Sequence, residues 1–66
     1  KKALLANATH IALCHNHPSG QLRPSQEDDK LTSELKRASD LMRITLIDHL
    51  IVTDEGYYSY QEEGKL

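Results

Sequence analysis

His15 and His17 stand one residue apart, Ser25 follows after seven intervening residues, and Asp28 after two more. That spacing reads as a metal site. In an extended segment successive side chains alternate across the strand, so both imidazoles share one face and a single ion fits between them. Pro18-Ser19-Gly20 then stops the strand and turns the chain. A carboxylate arriving on the next helix can swing in as a third ligand. Two neutral nitrogens and one carboxylate, with a fourth position left to water, make a hydrolytic zinc site rather than a closed structural one. Ser25, near the ion rather than on it, can donate a hydrogen bond to an oxygen that becomes negative during attack. Asp28 and Asp29 are both placed to be the carboxylate ligand, and local chemistry does not choose between them.

The elements that must hold these residues follow from pattern. Pro24-Ser25 opens a helix: Ser25 is an N-cap, Ser25-x-x-Asp28 resembles a capping box, and Glu27, Asp28 and Asp29 favour the positive end of the helix dipole. Leu31, Leu35, Ala38, Leu41 and Met42 recur at helical spacing and are expected to form the buried stripe. Thr9 to His15 is nearly all apolar and reads as a strand buried on both faces of a sheet. Asn16 to Pro24 reads as a loop. Lys1 to Asn7, rich in Ala and Leu, reads as the end of a helix capped by Asn7. Ile44 to Val52 is a β-branched strand, Asp54-Glu55-Gly56 a turn, and Tyr57-Tyr58-Ser59-Tyr60 the return strand of a hairpin. The three tyrosines fit packing better than base stacking. Gln61 to Leu66 reads as a polar tail without clear structure. The order implies an α/β layer structure with a mixed sheet and flanking helices.

Composition bounds the function. Sixty-six residues form one small domain at most, with 38% hydrophobic residues but neither Trp nor Phe to anchor a large core. The chain therefore reads as part of a domain, beginning within an element that precedes the metal strand. No apolar run is long enough to span a bilayer, and Lys1 to Leu5 lacks the features of a signal peptide. The single Cys14 cannot form an internal disulfide, which fits a cytoplasmic protein, and its expected role is a small buried residue rather than a ligand. Eight Lys and Arg against ten Asp and Glu give a net charge of -2, which argues against an electrostatic nucleic-acid binder. Asp48-His49 interrupts an otherwise apolar strand. Its expected use is a pair of polar groups meeting a neighbour or water rather than direct ligation, because three ligands already fill the protein's share of a catalytic site, with a role in orienting a ligand left open.

The run His15-Asn16-His17-Pro18-Ser19-Gly20, then Pro24-Ser25, Asp28 and Leu31-Thr32, and later Leu46-Ile47-Asp48-His49-Leu50-Ile51-Val52, resembles the bacterial RadC-like proteins of the JAMM (MPN or JAB) metalloprotease superfamily. The resemblance covers roughly Ala3 to Gly64. It implies a JAMM/MPN (cytidine-deaminase-like) fold and a Zn²⁺ held by His15, His17 and Asp28, with Ser25 steadying the oxyanion. It further implies hydrolysis of a peptide or isopeptide bond. In the family a Glu acting as general acid and base lies on an earlier strand, and no acidic residue precedes His15 here. By resemblance, then, residues 1–66 are a partial domain whose first strands and catalytic Glu are missing. The alternative function is a non-catalytic module, associated with DNA repair or completed by a partner. Unpaired sheet edges would favour a homo-oligomer.

Overall fold

The computed structural model describes residues 2–17 and 22–66. Strands β1 (Lys2–Ala6) and β2 (His10–Asn16), helix α1 (Gln26–Leu41) and strands β3 (Thr45–Thr53) and β4 (Gly56–Ser59) follow one another along the chain. The four strands form one sheet in the order β1-β2-β3-β4. Outer pairs are antiparallel, while β2 and β3 run parallel because α1 carries the chain back across the sheet between them. The turn expected at Pro18-Ser19-Gly20 lies outside the described residues.

Helix α1 begins where its cap chemistry dictates. The Asp28 backbone N–H donates to Ser25 Oγ at 3.1 Å and the Ser25 N–H donates back to Asp28 Oδ2 at 2.8 Å, a complete capping box. At the other end Ile44 N–H reaches the Ser39 carbonyl and Arg43 N–H the Asp40 carbonyl. This Schellman closure puts Arg43 at a φ of 56°, a conformation more often given to glycine.

Four expectations are corrected, the last of them the burial of β2 on both faces. Lys2–Ala6 is a strand, not the end of a helix: the Ala and Leu propensity yields to a full antiparallel ladder with β2, from Lys2 opposite His15 to Ala6 opposite Ile11. The helical stripe is also rotated from the face read in the sequence. Asp28, Thr32 and Ser39 are the buried helical residues, Leu31 and Leu35 are half-buried, and Ala38, Leu41 and Met42 are exposed. Small hydroxyls tolerate burial because each is satisfied locally: Thr32 Oγ1 donates to the Asp28 carbonyl at 2.8 Å and Ser39 Oγ to the Leu35 carbonyl at 2.7 Å. Third, the segment after β4 is ordered. Asp48 Oδ1 accepts from the Gln61 N–H, the Ser59 hydroxyl donates to Asp48 Oδ2, and Lys65 N–H closes onto the Tyr60 carbonyl.

With one helix among the described residues, a single face of the sheet is covered. The apolar core there is small, made of Leu13, Leu46, Ile51 and Tyr60. In β2 only Leu13 is fully buried, so that strand is not enclosed on both faces. Cys14 pairs with Leu50, projects to the side away from Leu13 by strand alternation, and is half-buried.

Candidate metal centre

His15 is the penultimate residue of β2, and His17 continues the parallel pairing by donating its N–H to the Val52 carbonyl at 3.1 Å. The two rings meet edge to face with centroids 4.7 Å apart. Helix α1 starts beside this strand end, and its first turn delivers Asp28, which is only 2% exposed. One carboxylate oxygen lies 2.9 Å from His15 Nδ1 and the other 3.0 Å from His17 Nε2. Asp28 is thus brought against both histidines named as ligands from the sequence, although the group of donor atoms lying within 4.8 Å of one another among the described residues is His15, Asp28 and His49, without His17. The site occupies the carboxyl end of two parallel strands next to a helix N-terminus, where an α/β sheet opens for ligands.

The choice left open between the two aspartates is resolved by direction. Asp28 faces the imidazoles, whereas Asp29 is exposed and accepts a 2.7 Å hydrogen bond from the Tyr60 hydroxyl on another side of the helix. Ser25 is also exposed and meets the site through Asp28, which it orients by the two capping bonds. Burial pushes the Asp28 carboxyl up, but the hydrogen bonds from Ser25 and the neighbouring His15 and His17 outweigh it and hold the group below its ordinary range. Asp28 is therefore a carboxylate at neutral pH. His15 is held below the usual histidine value, mainly by burial and against the pull of Asp28, so its ring is neutral and able to ligate.

These residues fit a bound cation. Among the described residues His15 Nδ1 is buried without a hydrogen-bond partner even though it lies 2.9 Å from Asp28 Oδ1, so the two atoms are close but not aligned through a proton. An imidazole lone pair and a carboxylate oxygen at that distance repel, and a cation between them converts the repulsion into coordination. Imidazole and carboxylate are the donor types that transition metals select.

One residue near the centre was not named as a ligand from the sequence. His49, wholly buried in β3, offers a ring nitrogen that lies with donor atoms of His15 and Asp28 in a group spanning at most 4.8 Å. Burial keeps it, too, below the ordinary histidine value. The signal in the sequence was the polar break Asp48-His49 in an apolar strand. Strand alternation separates the pair: Asp48 holds the turn after β4, and His49 faces the helix.

Among the described residues, a mixed sheet crossed by one helix, with two histidines at a strand end and a carboxylate at the helix start, makes a small α/β domain whose clustered side chains could hold a metal ion. The sequence profile of the RadC-like JAB domain family matches residues 1–65, and the chain belongs to that family. It is 47% identical over 64 residues to a UPF0758 protein of Flavobacterium johnsoniae, covering 97% of this chain and 28% of that protein. A UPF0758 protein of Thermotoga maritima is 46% identical over 66 residues, covering 100% and 30%. A third, from Streptococcus gordonii, is 54% identical over 59 residues, covering 89% and 26%. The chain thus spans less than a third of the curated relatives it matches. No helix among the described residues is long and apolar enough to cross a membrane.

Proposed function

We propose that this chain is the metal-holding part of a zinc-dependent hydrolase that cleaves a peptide or isopeptide bond. The observation that carries the reading is the buried Asp28 carboxylate shared between His15 Nδ1 and His17 Nε2 at 2.9 and 3.0 Å. His15, His17 and Asp28 would hold the ion. Zinc bound there would polarise a substrate carbonyl and lower the pKa of water to about 7. Ser25 keeps Asp28 turned toward the histidines through its N–H and hydroxyl, and its position at the helix start is suited to donating to a developing oxyanion.

Proton transfer needs a further group. No acidic residue precedes His15 in the sequence, and the acid and base role of the family has no candidate in that stretch. Loss of such a group costs about a hundredfold to ten-thousandfold in rate. Hydrolysis is therefore expected of a protein as long as the relatives, with this chain alone binding metal but turning over slowly.

The test is metal content followed by activity. Zinc should copurify with the wild-type chain, and His17→Ala should bind it at least about tenfold more weakly by calorimetry. Embedded in a relative-length protein, the wild type should cleave quenched peptide or isopeptide substrates and lose that activity on chelation. A wild type that binds no divalent ion, or a His17→Ala chain that binds as well, would overturn the reading.

A further inference from the structure

The geometry points to His49 as a further ligand of the divalent ion, presenting Nε2 from the interior side; this inference rests on the metal-site reading of His15, His17 and Asp28. The argument begins with the hydroxyl of Thr32, which lies within hydrogen-bond distance of both the Asp28 carbonyl and His49 Nδ1. A threonine hydroxyl has one hydrogen. The Thr32 hydroxyl donates to the Asp28 carbonyl, which can only accept, and with its hydrogen placed there both contacts are satisfied together when His49 Nδ1 carries the proton and donates to Thr32 Oγ1. In a neutral imidazole this leaves Nε2 as a bare lone pair. That atom is buried in a fully enclosed residue and has no hydrogen-bond partner among the described residues.

Its ring cannot easily turn to find one. The Tyr60 ring stacks on His49 at 4.8 Å and 3°, and the His15 ring lies 6.0 Å away at 15°. Nδ1 donating to a neighbouring oxygen while the other nitrogen stays bare is the arrangement that ligating histidines adopt, because it fixes both tautomer and direction. His15, Asp28 and His49 each offer one donor atom, a ring nitrogen for the histidines, within 4.8 Å of the others, a group to which His17 does not belong. Atoms bound to one zinc at about 2.1 Å lie no more than about 4 Å apart, so a contraction of roughly an ångström or less brings the three onto one ion. Zinc ordinarily takes four ligands and sometimes expands to five, so with His49 added to the set a position toward solvent is kept only in the five-coordinate form. A set with three imidazoles also favours zinc or cobalt over magnesium and calcium.

Heteronuclear NMR of the cadmium-loaded chain, with heavy nitrogen at histidine, counts the bound imidazoles directly. Three rings coupled to the metal, one of them His49 through Nε2, is the expected result. Coupling to His15 and His17 alone overturns the inference and leaves the original site intact, whereas no cadmium binding overturns both. His49→Phe, which keeps an aromatic ring against Tyr60, should weaken zinc binding by more than the ten- to hundredfold typical of an outer partner and shift the visible bands of the cobalt form. An unshifted cobalt spectrum in a folded His49→Phe chain would contradict direct ligation. If that variant does not fold, the cadmium count still decides.

Discussion

The two ends of helix α1 bury opposite kinds of atom. At its start Asp28, Thr32 and the facing His49 are 2%, 4% and 0% exposed, while at its end Leu41 and Met42 are 83% and 70% exposed. Hydrophobic burial alone would arrange the reverse, since each enclosed polar group must find a partner or destabilise the fold. The start of the helix meets that demand with the capping box, the Thr32 hydroxyl and the histidine rings. Among the described residues two buried side-chain nitrogens, His15 Nδ1 and His49 Nε2, remain without a hydrogen bond, and both residues group with Asp28. The contrast teaches that this small domain is organised around a polar centre, with apolar packing as its frame.

Substitutions at the two ends should separate frame from centre. Ile51→Ala, at a wholly enclosed position of β3 directly opposite His15 in the sheet register, should cost about 2–5 kcal/mol in urea unfolding. For a chain of this length that is a large share of a total stability of about 3–10 kcal/mol. An effect below about 1 kcal/mol would mean that the frame is looser than the structure indicates.

Acid should act on the centre next. His15 and His49 are both held below the ordinary value near 6.5, chiefly by burial, so the folded chain keeps them neutral where the unfolded chain takes up protons. Stability is therefore present above that value and lost as pH falls through it. Asp28, also held low, adds a second loss in the same direction at more acidic pH. The metal-free chain should melt at a lower temperature at about pH 5 than at about pH 7.5. A melting temperature that rises on acidification would break the comparison.

Smaller effects sharpen it. Ser25→Ala removes the hydroxyl half of the capping box and should lower stability by about 1 kcal/mol. It should also loosen Asp28, seen as weaker zinc binding by calorimetry. Leu41→Ser, at the open end of the helix, should change urea stability by no more than about 0.5 kcal/mol. A loss of several times that would show that the exposed apolar end is covered in solution.

Much of the centre was legible in the sequence because its signals are local. The His-x-His pair on an extended segment, the Ser25 cap and the acidic first turn each follow from side-chain alternation or helix-end hydrogen bonding, and together they placed a first-turn carboxylate, Asp28 or Asp29, near the histidines, with Asp28 singled out by the family resemblance. What escaped depends on partners distant in sequence. Lys2–Ala6 has helix-forming composition and becomes a strand only through its ladder with β2. The helix packs through Thr32 and Ser39 because their hydroxyls turn back onto helical carbonyls, which an apolar periodicity does not reveal. The segment after β4 is pinned by Asp48, eleven residues before Ser59, which looks in sequence only like a polar break in a strand. His49 gains its meaning from that same break, once alternation sends it to the helix side.

The most direct test of the account is a zinc titration of the wild-type chain beside Asp28→Asn, which keeps the side chain's shape and removes its charge. The wild type should take up one ion per chain, and the Asn form should bind at least about a hundredfold more weakly while far-UV dichroism stays unchanged. Equal affinity in the two folded chains would contradict the claim that the shared carboxylate is the heart of the site.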